Sequence, residues 1–119
     1  MEIYQDFNFD AAHRFDAMQA GHMYEGLHGH SFIARVVIEG DPDPETGFVA
    51  DFGLIDGACV KLREELDHRY LNDIDGLAVP SLENIAIWIW NRLKPGFQGL
   101  TRVEVRRDSK HHGCVYRGR

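Results

Sequence analysis

The first third of the chain shows the two-residue period of β-strands. Over positions 2 to 13, polar residues alternate with a set that predicts one buried face: Ile3, Phe7, Phe9, Ala11 and His13. Residues 14 to 27 break this period. From His28 to Glu39 a second strand is predicted, in which five residues share a face: His30, Phe32, Ala34, Val36 and Ile38. The turn at 41–47 contains two prolines, which cannot donate to a strand ladder and therefore end this strand.

The middle of the chain has helical spacing. Asp51 is a suitable N-cap for a helix that runs to about Leu66, and its apolar residues recur every three to four positions. An irregular stretch follows from 67 to 80. Ser81 then caps a second predicted helix, from about Leu82 to Leu93, which Pro95 and Gly96 terminate. Both helices present one apolar face.

The chain closes with a predicted hairpin. Thr101 to Arg107 alternates again, and a strand from Val115 to Arg117 follows Gly113, which ends a tight connection. The order β-β-α-α-β-β predicts an α+β fold with an antiparallel sheet and both helices on one face. Arg102, Glu104 and Arg106 then lie on the uncovered side, which is either solvated in a monomer or lines a wet channel between subunits. The two outer strands need protection, and other subunits can provide it.

Length and composition limit the function. The 119 residues allow one domain, spanning 1–119, and 44% hydrophobic with 27% charged residues is typical of a globular protein. Thirteen basic against nineteen acidic residues give a net charge of −6, which argues against nucleic-acid and anionic-membrane partners but allows a small anionic ligand. No run approaches the roughly 20 apolar residues of a membrane span. We expect a cytoplasmic protein with two free thiols, Cys59 and Cys114.

Three histidines form a candidate metal site. In His28-Gly29-His30 at the start of a strand, the two imidazoles project from the same face, about 6.5 to 7 Å apart at their Cα atoms. Antiparallel pairing with the first strand would bring His13 opposite them. Three neutral nitrogen ligands without a thiolate are typical of catalytic zinc with an open fourth position. Iron(II) usually also binds a carboxylate, so it is the weaker alternative.

Six segments resemble the 6-pyruvoyl-tetrahydropterin synthase family, including its bacterial 6-carboxytetrahydropterin synthase branch of queuosine biosynthesis. They follow the family order along essentially the whole chain: residues 9–14, 27–32, 51–52, 66–73, 83–86 with 88–90, and 113–118. The resemblance implies the tunnelling fold (T-fold), in which subunit sheets join into a barrel and two rings stack, commonly as a hexamer (a dimer of trimers). It also implies 7,8-dihydroneopterin triphosphate as substrate, bound at subunit interfaces, with Zn²⁺ held by His13, His28 and His30.

The resemblance also suggests roles for four further residues. Asp67 and His68 match the family's proton relay, in which a carboxylate orients an imidazole. Asp108 matches the glutamate of the last hairpin that anchors the pterin in the family, and its side chain is one methylene shorter than that glutamate. Glu83 matches a position beside the pterin, although a favourable charge in the first helical turn explains it equally well.

The chain departs from the family at the catalytic base. Both synthase branches use a cysteine between the first two strands, where this chain has Tyr24, whose ordinary pKa near 10 makes it a poor base. Glu25, three residues before His28, has the spacing of a folate-pathway branch that makes 6-hydroxymethyl-dihydropterin. Three hypotheses follow, in this order: a zinc-dependent 6-carboxytetrahydropterin synthase, the folate-pathway lyase with Glu25 as base, and a catalytically impaired pterin- or zinc-binding homologue.

Overall fold

A computed structural model describes residues 1–16 and 26–119. Its strands form a four-stranded antiparallel sheet in the order β1-β2-β3-β4: β1 Glu2–His13, β2 His28–Glu39, β3 Leu100–Arg107 and β4 His112–Tyr116. The helices α1, Phe52–Leu66, and α2, Leu82–Leu93, pack on one face of it. This confirms the predicted α+β fold and element order.

Both helices begin where the sequence predicts. The Asp51 carboxylate accepts a hydrogen bond from the Gly53 N–H at 2.7 Å, and the Ser81 hydroxyl accepts one from the Asn84 N–H at 3.1 Å. Each cap satisfies an amide of the first turn that has no partner within the helix. Two short 3-10 helices, Leu71–Asp73 and Asp108–Lys110, occupy the connections before α2 and before β4.

The core lies between the sheet and the two helices. The rings of Phe9 and Phe32 stack at 5.0 Å between centroids, and both side chains are buried. Val103 and Val105 of β3 extend this apolar layer beneath Ile85 and other residues of α2. Burying one such large side chain stabilises the fold by about 1.5–3 kcal/mol. The covered face therefore supplies most of the hydrophobic stabilisation.

The last strand differs from the prediction. It begins at His112, not Val115, and ends at Tyr116. Gly113 therefore lies inside the strand. Glycine is needed at this position because a Cβ atom would come within 2.7 Å of Arg106 Cβ and 2.9 Å of the Val105 carbonyl oxygen. The actual connection is the 3-10 helix, closed by His111 in a left-handed conformation with φ 61°.

The uncovered face of the sheet is charged, as predicted for β3. Asp6 and Arg35 form a two-bond ion pair at 2.7 and 3.0 Å, and Arg102 contacts Glu104 at 2.8 Å. The first pair joins β1 and β2, and the second lies along β3. No helix within residues 1–16 and 26–119 is long and apolar enough to cross a membrane.

Candidate metal centre and active site

The antiparallel register of β1 and β2 brings the three histidines together. His13 is paired with His28, and His30 follows two residues later on the same face. Their candidate ligand atoms all lie within 4.8 Å of one another. His13 is fully buried at the end of the core, next to Phe32. The predicted three-histidine cluster is therefore present in the structure.

Backbone carbonyls orient two of these rings. His13 Nδ1 donates to the Pro80 carbonyl oxygen at 2.8 Å, and His28 Nδ1 donates to the Gly26 carbonyl oxygen at 3.0 Å. A proton on Nδ1 leaves the lone pair on Nε2. The Nε2 of His13 is buried and has no hydrogen-bond partner among the described residues. Such a carbonyl contact behind the ring is the usual support of a metal-ligating histidine, so the donor set fits Zn²⁺.

The environment lowers the pKa of two of the three rings. The pKa of His13 is lowered to about 4, mainly by burial. The hydrogen bond to Pro80 raises this pKa, and His28 and Arg107 make smaller contributions that lower it. The pKa of His30 is also lowered to about 4. Burial is the largest cause, and the charges of Arg107 and of the neighbouring histidines lower this pKa further. Only a neutral imidazole can donate a lone pair to a metal. These two rings are therefore in the ligating form at neutral pH.

The Asp67 and His68 side chains are in contact at the end of α1. His68 Nδ1 donates to Asp67 Oδ2 at 2.8 Å, while Asp67 Oδ1 accepts the Asp10 N–H at 2.8 Å. The hydrogen bond from the Asp10 N–H is the main cause that holds the pKa of Asp67 below its ordinary value, and the hydrogen bond from His68 is the second. The His68 amide donates to the Asp10 carbonyl oxygen at 2.6 Å, with its backbone at φ 58°. The pair is thus fixed to the outer edge of β1.

One surface groove has both His68 and His30 in its lining. Its volume is about 600 Å³, and its lining includes His30 and His68 together with Asp10 and Tyr70. The His68 side chain is 79% exposed, so its ring is accessible from this groove. One residue of the predicted relay and one predicted ligand therefore line the same groove.

The other predicted site residues are more dispersed. Glu83 lines a cavity of about 310 Å³ next to the cluster. Asp108 does not line this cavity, and its carboxylate instead forms an ion pair with Arg106 at 3.0 Å. Tyr24 and Glu25 lie outside the described residues.

Both thiols are free, as predicted, and neither is activated. Cys59 is in the core, where burial raises the pKa of its thiol to about 11. Cys114 lines the same 310 Å³ cavity as Glu83, and burial, followed by the nearby Glu83 charge, raises the pKa of its thiol. Neither cysteine is suited to act as a base at neutral pH.

Sequence reasoning missed Arg107 and Pro80. Arg107 is 6% exposed and lies beside His30, with 3.3 Å between a terminal guanidinium nitrogen and His30 Nε2. The alternation of Val103 and Val105 could have revealed it, because it places Arg107 on the helix-facing side. Nothing in the sequence pattern indicates that the Pro80 carbonyl would support His13.

Comparisons with known proteins identify the family. The model of the family described as 6-pyruvoyl tetrahydropterin synthase matches residues 2–119. A Synechocystis 6-carboxy-5,6,7,8-tetrahydropterin synthase is 43% identical over 109 residues, covering 87% of this chain and 83% of its own. A dihydroneopterin monophosphate aldolase of Pyrococcus furiosus is 39% identical over 97 residues, covering 82% and 78%. The structure of a Caenorhabditis elegans 6-pyruvoyl tetrahydropterin synthase superposes with a TM-score of 0.88 at 24% identity, covering 100% and 96%, which shows the shared T-fold. The chain belongs to the 6-pyruvoyl tetrahydropterin synthase family of lyase-type enzymes.

Proposed function

We propose that this protein is a zinc-dependent carbon–carbon lyase that acts on the side chain of 7,8-dihydroneopterin triphosphate. The observation that carries the proposal is the cluster of His13, His28 and His30, whose ligand atoms lie within 4.8 Å of one another. The proposed product is 6-carboxy-5,6,7,8-tetrahydropterin, on the route to queuosine. The 43% identity to the Synechocystis enzyme of that name supports this product over others.

The metal and the relay have separate tasks in this proposal. Zn²⁺ bound by the three histidines would act as a Lewis acid toward the side-chain hydroxyls of the pterin and acidify the protons to be moved. His68 accepts or returns a proton at its exposed ring nitrogen, while Asp67 holds the ring through Nδ1. Asp67 is itself fixed by the Asp10 amide, so the imidazole is presented to the groove in one orientation.

The base that begins the side-chain chemistry is proposed to be Glu25. A carboxylate is deprotonated at neutral pH, whereas the phenol of Tyr24 has an ordinary pKa near 10. Glu25 lies only three residues before His28 in the sequence.

A second candidate is the folate-pathway reaction, which yields 6-hydroxymethyl-7,8-dihydropterin. The position of Glu25 before His28 favours it, as does the 39% identity to the Pyrococcus dihydroneopterin monophosphate aldolase. A base of different chemistry at this place would change which side-chain bond breaks.

One incubation separates these candidates. The zinc-loaded protein is mixed with 7,8-dihydroneopterin triphosphate and the products are resolved by chromatography. A 6-carboxy product supports the first candidate, and a 6-hydroxymethyl product supports the second. Bound zinc and pterin with neither product would instead identify a catalytically impaired homologue.

Variants at the two neighbouring positions test the base. Losing a general base removes about 10²–10⁴ of rate, so Glu25→Gln should be nearly inactive while Tyr24→Phe keeps most activity. The opposite ranking would make Tyr24 the base. Tyr24→Cys restores the thiol of the synthase branches, and a gain of 6-carboxy product there would show that the rest of the pocket suits that reaction.

The protein is further proposed to act in the cytoplasm as a homo-oligomer larger than a dimer, with a hexamer built as a dimer of trimers. The sheet leaves β1 and β4 as outer strands, and closing a ring of subunits would protect both. The substrate would then bind where subunits meet. Light scattering at micromolar concentration tests this, and a monomer mass would contradict it.

A further inference from the structure

The stretch 67–72, which follows α1, runs along the outer edge of β1. The carbonyl oxygen of Asp10 accepts a backbone amide of this stretch at 2.6 Å, and the Ala12 N–H donates to one of its carbonyl oxygens at 3.0 Å. Alternate residues of a strand point their backbone groups to the same edge, so the next such position is Arg14. There the partner is the side chain of Asn72, in place of a backbone group.

The Asn72 amide engages its oxygen and its nitrogen with two backbone segments. Its Oδ1 accepts the Arg14 N–H at 2.9 Å, and its Nδ2 donates to the Arg14 carbonyl oxygen at 2.8 Å. Nδ2 also donates to the Ala78 carbonyl oxygen at 3.4 Å, a longer and weaker bond. An acceptor that faces an N–H and a donor that faces a carbonyl fix which way the amide points.

These two segments hold the two ends of the hydrogen bond behind His13. Arg14 directly follows His13, and Ala78 lies two residues before Pro80. The His13 Nδ1 donates to the Pro80 carbonyl oxygen at 2.8 Å, across 67 positions of the sequence. One side-chain amide therefore ties the chain next to the donor to the chain next to the acceptor.

The hydrogen bond behind His13 depends on such support. Pro80 is buried and, because it has no N–H, cannot be fixed through its own backbone amide. Its neighbour Val79 is held from the other side, where Asn84 of α2 donates to the Val79 carbonyl oxygen at 2.8 Å. Asn72 supplies the corresponding hold on the β1 side. Outer contacts of this kind set the ring orientation of a metal ligand, and losing one typically lowers metal affinity by about 10- to 100-fold.

We propose that Asn72 is a positioning residue of the candidate metal centre, which holds the His13 ring against Pro80 so that Nε2 is available for ligation. It acts through His13 and is not itself a ligand, because its amide is bound to backbone groups. The inference rests on the metal-binding part of the proposed function and is independent of which product the enzyme makes.

The test measures metal binding, with Co²⁺ as a visible probe in place of zinc. Chelator competition gives the Co²⁺ affinity, and the visible absorption of the loaded protein reports the ligand geometry. Asn72→Ala should lower the affinity by about tenfold, the lower end of the effect of an outer contact, and should change the absorption. Asn72→Asp keeps the shape but places a carboxylate oxygen against two carbonyl oxygens, so it should lose at least as much affinity. Asn91→Ala is the matched control, since Asn91 is an exposed asparagine of α2 and its removal should leave both readings unchanged.

A variant at a distant site separates positioning from stability. Asp51→Ala removes the N-cap of α1, at the opposite end of that helix from Asp67, and so destabilises the fold away from the cluster. If Asn72 only stabilised the fold, the folded Asn72→Ala protein would keep the Co²⁺ affinity and absorption of the unmodified protein, as we expect for Asp51→Ala. That result, or equal losses in the two variants, would overturn the inference.

A measurement without metal distinguishes failure of this inference from failure of the proposed function. In the metal-free protein, nuclear magnetic resonance follows how fast the Nδ1 proton that His13 donates to Pro80 exchanges with solvent. Asn72→Ala should speed that exchange by at least about tenfold relative to the unmodified protein and to Asp51→Ala, as expected for one or two lost hydrogen bonds. Unchanged exchange would overturn the positioning role.

The combined outcomes assign each failure to one claim. Faster exchange in Asn72→Ala, in a protein that binds no Co²⁺, would support the hold on His13 while overturning the proposed metal site. Co²⁺ binding that depends on Asn72, without lyase activity toward the pterin, would support the inference and overturn only the proposed reaction.

Discussion

On the uncovered face of the sheet, partly exposed arginines pair with carboxylates, whereas on the helix-covered face the polar side chains gather at one end. Arg106 and Arg107 show the contrast within one dipeptide. The first pairs with Asp108 at the surface, and the second is buried beside His30. Exposed ion pairs contribute about 0–1 kcal/mol and cost little to maintain. Buried polar groups cost far more, so the polar end of the covered face is where we expect function to reside.

The largest effect should follow from removing a ligand of the cluster. His28→Ala deletes one of three nitrogens at the polar end of the covered face, and we expect near-complete loss of stoichiometric zinc, measured by elemental analysis after dialysis. His111→Asn is the control, because His111 is exposed and asparagine tolerates its left-handed backbone. Full zinc occupancy in His28→Ala would show that the histidines do not form the metal site.

The apolar part of the same face should give the next largest effect. Phe32 is fully buried, so Phe32→Ala should reduce the free energy of unfolding by about 3–5 kcal/mol, measured by urea denaturation. Ile33→Ala changes the neighbouring residue, which points to the uncovered face and is only half-buried, so its loss should be clearly smaller. Equal losses would mean that the two faces are packed alike.

The relay should affect rate more than stability. Asp67→Asn weakens the hold on His68 Nδ1, and we expect kcat to fall at least about tenfold while KM changes little. Glu64→Gln, an exposed carboxylate nearby on α1, should leave kcat unchanged. A rise in KM with unchanged kcat would indicate that Asp67 serves binding and not proton transfer.

The sequence predicts most of the fold because its strands and helices have clear periods and caps. The cluster was also predictable, since alternation in β2 and antiparallel pairing with β1 place His13 opposite His28. The start of β4 was not, because glycine usually marks a turn. Here it is required inside the strand, where any Cβ would overlap Arg106.

The site was harder to predict where it depends on contacts between distant segments. Asp108 follows the strand by one residue, and whether it or Arg107 enters the cavity depends on how the 3-10 helix leaves the sheet. The attachment of Asp67 to the Asp10 amide joins residues 57 positions apart. Periodicity within one element carries no information about either contact.

The smallest effect should come from the ion pairs of the uncovered face. Arg35 donates two hydrogen bonds to Asp6, and its guanidinium lies 3.9 Å from the centre of the Tyr4 ring. The hydrogen bond from Arg35 is the main reason that the pKa of Asp6 lies below its ordinary value. Because the pKa of Asp6 is lower in the folded protein than in the unfolded chain, the pair stabilises the fold above the ordinary carboxyl pKa. That contribution is lost as the pH falls through the lowered value. Arg35→Met should therefore cost no more than about 1 kcal/mol at neutral pH, and urea denaturation should show the difference from the unmodified protein shrinking toward acid pH. A loss comparable to that of Phe32→Ala would break the contrast between the faces, and it would place Arg35 in a buried channel between subunits.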